Sequence, residues 1–588
     1  MKNWMKEYKW QIVVILLAVT VMSVFISRKE GYHMDEVLSF EFANAEYTPW
    51  IVPWQPEGRP ATFVYNEIET GDFWETTGNW IKYTLDYWIN GEDSVPYSYE
   101  GKVYVQSVWI SREEFKEFVT TGPKDRFNLV SVYYNEIRDS HPPLFYMCFH
   151  LVCSVVSGIM EPWMGGLVNL TAMVICCIFL IKIGILLTGE KWAGTLAVLL
   201  YCLSTGGIGT VVLIRMYCML TCFCVISLYF HLKKWQRGDF RVGNKLLIFM
   251  TVCGFWTQYY FVFYAIFMAA VTVLGLLFTK KGKQALYYIR SMIIAAAIGL
   301  CTFPYAVSDV LEGSTGRDVV SNLLGGSQEW SERMKSFGGM LCGGICGKSL
   351  GMAILGLLIV IAVIICLTVK EKRKEITKDR IVQGAMVVMP AVCYFLVTAQ
   401  ISPFYADRYI MPTYAFFALI FALVLEWCVK CLGEWAEKKK GTLSLCKNIL
   451  LKGMPVVLAG ALGIISVANY GESYLYIGYS DQLDVARQYA DYPCLCIYDG
   501  VTFYENVPEF TIYEETLVLT CCELEERCQF DLLVDCEDVV VLIKRNVDEE
   551  WVHQMMRNKY GYNNYELIFR DTIYGEKIFF YRNQRETL

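Results

Sequence analysis

A helix needs about 20 consecutive apolar residues to cross a hydrocarbon core roughly 30 Å thick, and this chain supplies such runs repeatedly. The first covers 11–26, behind a lead carrying Lys2, Lys6 and Lys9. Others fall at about 144–160, 163–187, 191–213, 215–232, 245–279, 287–311, 346–368, 381–400, 409–430 and 449–469. Composition agrees. Of the 588 residues, 55% are hydrophobic and 19% charged, less charge than a soluble protein of this size carries. The net charge of −7 comes without a basic patch, which argues against nucleic acid as a partner.

The first run could pass for a signal peptide. It is followed by Ser27-Arg28-Lys29-Glu30 rather than by a small-residue cleavage site, so it reads as an uncleaved span with its N-terminus in the cytoplasm. Lys233, Lys234, Arg237 and Arg241, then Lys280, Lys281 and Lys283, the charged stretch 371–380, and Lys438 to Lys440 mark cytoplasmic connections. Segments 312–345, 401–408 and everything after about 470 then lie outside. Counting each run once puts the C-terminus outside with roughly eleven spans. If 245–279 crosses twice, an extra short span hidden in 191–232 is needed, giving roughly thirteen. The expected fold class is an all-α polytopic membrane bundle of those 11–13 transmembrane helices, with a large first outer loop and a small C-terminal α/β outer domain. The expected divisions are 1–27, the cytoplasmic N-terminus and first span; 28–143, an extracytoplasmic loop with interfacial helices; 144–470, the bundle; and 471–588, the C-terminal extracytoplasmic domain.

Trp50, Trp54, Trp74, Trp80, Trp88 and Trp109 all fall in 28–143, and tryptophan favours the membrane interface. Residues 481–588 carry 22 Asp and Glu against 10 Lys and Arg. Within them, 495–499, 516–520, 530–535 and 538–545 read as buried strands and 548–560 as a helix. Of 23 cysteines, 17 precede residue 481, mostly in apolar runs where they act as small hydrophobes. Cys494, Cys496, Cys521, Cys522, Cys528 and Cys536 lie in the C-terminal domain; disulfides and free buried thiols both suit them. No zinc-type spacing and no internal repeat occurs.

Two short motifs carry chemistry. Tyr32-His33-Met34-Asp35-Glu36 places a carboxylate pair just beyond the first span. Charge there is expensive without a purpose, although simple solvation at the interface is the other reading. The loop ends in Asn135-Glu136-Ile137-Arg138-Asp139-Ser140-His141-Pro142-Pro143-Leu144-Phe145-Tyr146. The two prolines enforce an extended approach and a rigid helix start, which holds Arg138, Asp139 and His141 at the mouth of the second span.

An acidic pair after the first span, about a hundred residues of loop, then His-Pro-Pro-Leu-Phe-Tyr resembles the GT-C fold glycosyltransferases, most nearly the protein O-mannosyltransferases and bacterial aminoarabinose transferase-like enzymes. Ile214-Arg215-Met216-Tyr217 is similar to the family's R-M-Y. Ser402-Pro403-Phe404-Tyr405-Ala406-Asp407-Arg408-Tyr409-Ile410-Met411-Pro412 resembles its late R-Y-x-x-P element. Thr257-Gln258-Tyr259-Tyr260 departs from the relatives' Thr-His-Tyr, which puts any proton or metal role at Gln258 in doubt. The resemblance covers about residues 1–430. It implies a sugar donor on polyprenyl phosphate, inverting transfer at the outer face, Asp35 as the base, and Glu36 beside it in the catalytic pair, positioning the loop or acceptor. Arg408 fits a phosphate clamp because its planar fork makes paired hydrogen bonds; snorkelling at the interface is its alternative. Tyr405, Arg138, Asp139 and His141 join it as donor-binding candidates. Arg215 reads as structural.

No cofactor is expected. Relatives with Asp-Glu rather than Asp-x-Asp generally work without a catalytic metal, and a divalent ion stays open through Asp139. The expected partners are the lipid-linked donor, a protein, glycolipid or wall-polymer acceptor, and membrane lipid. The rival class is a non-catalytic polytopic envelope protein, a lipid-linked sugar flippase, transporter or assembly scaffold. The absence of a repeat and the scarcity of intramembrane charge argue against a transporter.

Overall fold

The computed structural model describes residues 6–47, 51, 67–68, 70, 72–90, 107–139, 141–241, 244–307, 319, 321–322, 327–346, 356, 377–438, 444–468, 473–500, 502–526 and 538–582. The chain divides into two compact units. A helical unit takes Met1–Ser27, Ser140–Phe145 and Gly165–Ser473; a sheet unit takes Arg28–Asp139, Tyr146–Met164 and Tyr474–Leu588.

In the helical unit, Lys9–Ser27, Pro162–Thr188, Phe261–Phe278, Gly282–Thr302, Lys378–Ile401 and Asp407–Cys431 are each long and apolar enough to cross a membrane. The chain is a multi-pass membrane protein. Two of the apolar runs are not single rods. The run at 191–213 is a helix pair, Trp192–Cys202 and Thr205–Val212, bent by 68°. Ser204 caps the second helix by accepting from Gly207 N, so the break leaves no exposed amide at that point. The run at 245–279 splits into Lys245–Thr257 and Phe261–Phe278, with Gln258 fully extended between them. Apart from 346 and 356, run 346–368 lies outside the described residues. Close packing depends on small residues: a Cβ on Gly184 would stand 2.3 Å from the Gly194 backbone nitrogen, so only glycine allows those two helices their approach.

The sheet unit holds one six-stranded sheet in the order β1-β3-β2-β4-β6-β5. The strands are β1 Trp109–Ser111, β2 Cys494–Tyr498, β3 Glu515–Thr520, β4 Asp538–Ile543, β5 Asn564–Arg570 and β6 Lys577–Arg582. β2 pairs parallel with both β3 and β4, and the remaining pairs are antiparallel. The parallel centre is buried on both faces, as its unbroken apolar sequence requires. Helix Glu549–Tyr560 starts at the Asp548 cap, ends at left-handed Gly561, and sends Val552 and Met556 into the core beside Leu495, Val541 and Phe579. The expected strand at 530–535 lies outside the described residues, as do Cys528 and Cys536. Cys494, Cys496, Cys521 and Cys522 are free thiols, and burial pushes those of Cys494 and Cys496 upward.

β1 comes from the first loop, yet Trp109 and Ile110 pair with Leu517 and Thr516. The two polar segments, expected as separate domains, therefore share one sheet and one compact unit. Helix Phe73–Asn90 also belongs here. Trp80 packs against Tyr47 and Tyr134, while Trp74, Ile81, Leu85 and Ile89 form an exposed apolar stripe along the helix.

Candidate active site

In the sheet unit, the acidic motif opens the short helix Met34–Asn44. Its first turn is a capping box. His33 Nδ1 accepts from Asp35 N at 3.1 Å, and Glu36 Oε2 accepts from His33 N at 2.7 Å, so two amides that a helix start leaves unpaired find partners. Phe40 packs edge-on against Tyr32 and Phe149, and Phe42 against Tyr146. At the other end, Asn135 Nδ2 donates to the carbonyls of Phe42 and Ala45.

The acids on this helix have separate fates. Glu36 is fully buried, and besides the cap its carboxylate takes a 2.9 Å ion pair from Lys29, itself 1% exposed. Glu36 is thus held by both the cap and the ion pair in the turn that carries Asp35. Asp35 keeps 19% of its side chain exposed, with Oδ2 3.4 Å from His33 Nδ1. Glu41 is fully buried; burial, then the charge of Asp139, push its carboxyl well above the usual range. Asp139 therefore neighbours Glu41. Arg138 closes the turn Glu136–Arg138, and its side chain lies outside what the structure describes. Among the described residues, no three His, Cys, Asp or Glu side chains are placed to hold a metal ion.

In the helical unit, arginines gather on tyrosines. Arg215 Nη2 donates to His141 Nε2 at 3.2 Å; a guanidinium can only donate, so that nitrogen is the acceptor. Two residues on, Tyr217 meets Tyr409 edge-on at 6.4 Å, and Tyr409 meets Tyr260 at 5.8 Å. The Arg408 guanidinium lies 5.3 Å from the Tyr409 ring centre and is half-buried. Tyr405, half-exposed, carries a second guanidinium over its ring, Arg333 at 5.1 Å. Arg333 is 6% exposed, donates from Nη1 to the Ser402 carbonyl at 2.8 Å, and has no partner for its buried Nε among the described residues.

Of the candidates, the structure thus sets His141, Tyr405 and Arg408 each in an arginine contact of the helical unit, His141 with Arg215, Tyr405 under Arg333 and Arg408 over Tyr409, and Asp35, Glu36 and Asp139 around one short helix of the sheet unit. Arg333 and Lys29 were not expected. For Arg333 a signal existed: it shares the buried face of Ser327–Cys346 with Phe337 and Leu341, and an arginine on the apolar stripe of an amphipathic helix is an exception that asks for a reason.

No family model matches the sequence, and no curated protein matches it. Among solved structures, the chain is similar to ArnT from Cupriavidus metallidurans bound to undecaprenyl phosphate, with a TM-score of 0.51 and 9% identity over 97% of this chain and 98% of that one. Apo ArnT from the same organism gives 0.45 at 10% identity over 98% of each chain. The Archaeoglobus fulgidus oligosaccharyltransferase tethered to an acceptor peptide containing the NVT sequon gives 0.43 at 11% identity, over 99% of this chain and 75% of that one. The two lower scores carry no weight, and 9% identity speaks for the fold alone. In architecture, then, this is a multi-pass membrane protein with the GT-C fold.

Proposed function

We propose that the chain is a membrane glycosyltransferase that moves a sugar from a polyprenyl-phosphate donor to an acceptor, with inversion at the anomeric carbon. The observation that carries this reading is a pair of guanidiniums set over rings in the helical unit, Arg333 over Tyr405 and Arg408 over Tyr409. A lipid phosphate needs cations held in fixed directions near apolar surface, and guanidinium forks braced on aromatic rings meet that need. ArnT, of like fold, is bound to undecaprenyl phosphate in its crystal structure, a lipid of the class proposed here.

Asp35 accepts the proton of the acceptor as the acceptor oxygen or nitrogen bonds to the anomeric carbon. The bond from that carbon to the phosphate oxygen breaks, and polyprenyl phosphate leaves with the electron pair. Arg408 and Arg333 stabilise the charge that grows on the leaving phosphate. The Arg215–His141 hydrogen bond lies in the same unit and orients that imidazole. Glu36 holds the turn and does not touch the reacting atoms.

The test is a profile of lipid-linked sugars in cells with the parent gene, without it, and with Asp35→Asn or Arg408→Ala. One polyprenyl-phosphate sugar should accumulate in all but the parent. An unchanged profile would favour the non-catalytic envelope protein. We further propose that the first loop and the C-terminus lie outside the cell. Tags near residue 100 and at the C-terminus should react with an impermeant reagent on intact cells, and a tag near residue 374 should not; a protected C-terminus would refute that orientation.

A further inference from the structure

We propose that the C-terminal segment 474–588 is a positioning element for Asp35, acting through residues 29–32 just ahead of its helix and cap. This rests on the assignment of Asp35 as the base. All the groups involved lie within the sheet unit.

Residues 29–32 are each held by the far end of the chain. Lys29 Nζ donates to the Tyr474 carbonyl and lies 5.0 Å from the Tyr476 ring centre. Glu30 Oε2 accepts from Gly478 N at 2.6 Å and from Ser480 Oγ at 2.8 Å, while Glu30 N donates to the Leu475 carbonyl. At Gly31 a Cβ would come within 2.9 Å of Tyr476 Cβ and 3.0 Å of Tyr479 Cβ, so only glycine lets the two strands of chain lie this close. The Tyr32 carbonyl accepts from Tyr574 OH at 2.7 Å.

This grip passes to the helix through the buried Lys29–Glu36 pair that also closes the capping box, and Thr502 Oγ1 reaches Met34 Sδ directly. It is braced from behind. Tyr574 stacks on Tyr476, and the Lys544 ammonium sits 5.9 Å from the Tyr574 ring centre while paired to Glu576 and Glu505. Burial opposes that ammonium, yet the two carboxylates outweigh it and hold Lys544 above the usual lysine range. Buried, mutually paired polar groups of this kind favour one geometry. What they hold here is the first turn of a helix whose first acid, Asp35, stays partly open to solvent.

The test uses the purified full-length protein and, as probe, the polyprenyl-phosphate-linked sugar fraction extracted from membranes that contain it. Lys29→Met is the strongest variant; because it leaves Glu36 unpaired and can fail to fold, Tyr574→Phe and Glu30→Gln decide. Tyr574→Phe removes one hydrogen bond, and Glu30→Gln removes the charge behind the two that Glu30 Oε2 accepts. The expected result is faster amide hydrogen exchange across 33–44, turnover at saturating lipid lowered on the order of 10-fold, less than the loss from a full ångström of misplacement, and an unchanged apparent KM for the lipid. Lys577→Met, which breaks the exposed pair with Glu549, should change none of these. Parent-like turnover in Tyr574→Phe and Glu30→Gln, with Asp35→Asn inactive, would overturn the positioning role and leave the base in place. Parent-like turnover in Asp35→Asn would overturn both.

Discussion

The two units treat charge in opposite ways. In the helical unit, cations rest on rings: Arg333 on Tyr405, Arg408 on Tyr409, and Arg215 against an imidazole. In the sheet unit, acids are sorted by burial. Glu36 and Glu576 are fully buried against Lys29 and Lys544. Among the described residues, Glu41 and Glu509 are buried without a cation in direct contact, and desolvation drives both upward, Glu509 to about 8. Asp35 belongs to neither class; it is oriented by a cap and still reachable. A carboxylate that is to take a proton must be both, because full burial without a partner shifts its pKa and full exposure leaves it unaimed.

The largest expected effect tests that sorting directly. Asp35→Asn should lower turnover by about 10²–10⁴-fold, the usual cost of losing a general base, with the amount of folded protein unchanged, while Glu41→Gln should leave turnover near that of the parent. A swap of those two results would break the comparison. Next in size is Glu36→Gln. The amide oxygen can still close the capping box, but Lys29 is left as an uncompensated buried charge, and the expected loss of stability is about 3–5 kcal/mol. Thermal unfolding should show it, and adding Lys29→Met should recover much of it.

On the helical side, Arg333→Ala and Arg408→Ala should each cost about 1.5–3 kcal/mol in kcat/KM for the lipid donor, the range for a hydrogen bond to a charged group. The Lys replacements should fall between Ala and the parent, since they keep the charge and lose the fork. Loss of folded protein with normal turnover in the Ala variants would return both residues to a structural role.

The smallest effect is one of pH. Because the folded-state pKa of Glu509 is raised, its protonated form stabilises the fold. That contribution is full below about pH 4.5, shrinks as pH rises, and is gone above about pH 8. Between pH 7 and pH 8 this one group should cost about 1 kcal/mol. Glu509→Gln should flatten that part of the unfolding-temperature profile; an equally steep profile would remove Glu509 as the cause.

Much of the fold was legible because its signals are local. Apolar runs mark the spans, and continuous runs at 495–499, 516–520 and 538–545 mark central strands that the structure draws at almost the same bounds. The bend after Cys202 and the break at Gln258 were not legible as such, since a capped kink inside an apolar stretch leaves hydropathy unchanged. β1 was missed for another reason: three residues, Trp109–Ser111, carry no periodicity, and their partner strand is distant in sequence. Motif order singled out Asp35, His141 and Arg408 as candidates, with Asp35 as the base and Glu36 positioning the loop or acceptor. That Glu36 is the one buried against Lys29 was not legible, because adjacent residues on a helix point about 100° apart and only tertiary contacts say which one turns inward.

The pairing of β1 with β3 also sets an order of events in synthesis. The register joins Trp109 to Leu517, so about 400 residues of chain emerge between the two partners, and the bundle helices lie among them. At ribosomal speeds of about 5–20 residues per second, the first loop waits tens of seconds with an unpaired edge and no far-end clasp on residues 29–32. Contacts this distant are slow to close and expose the chain to misassembly. A ribosome stalled before the last quarter of the message would leave a membrane-inserted product whose Met34–Asn44 helix has nothing from the C-terminus to fasten it.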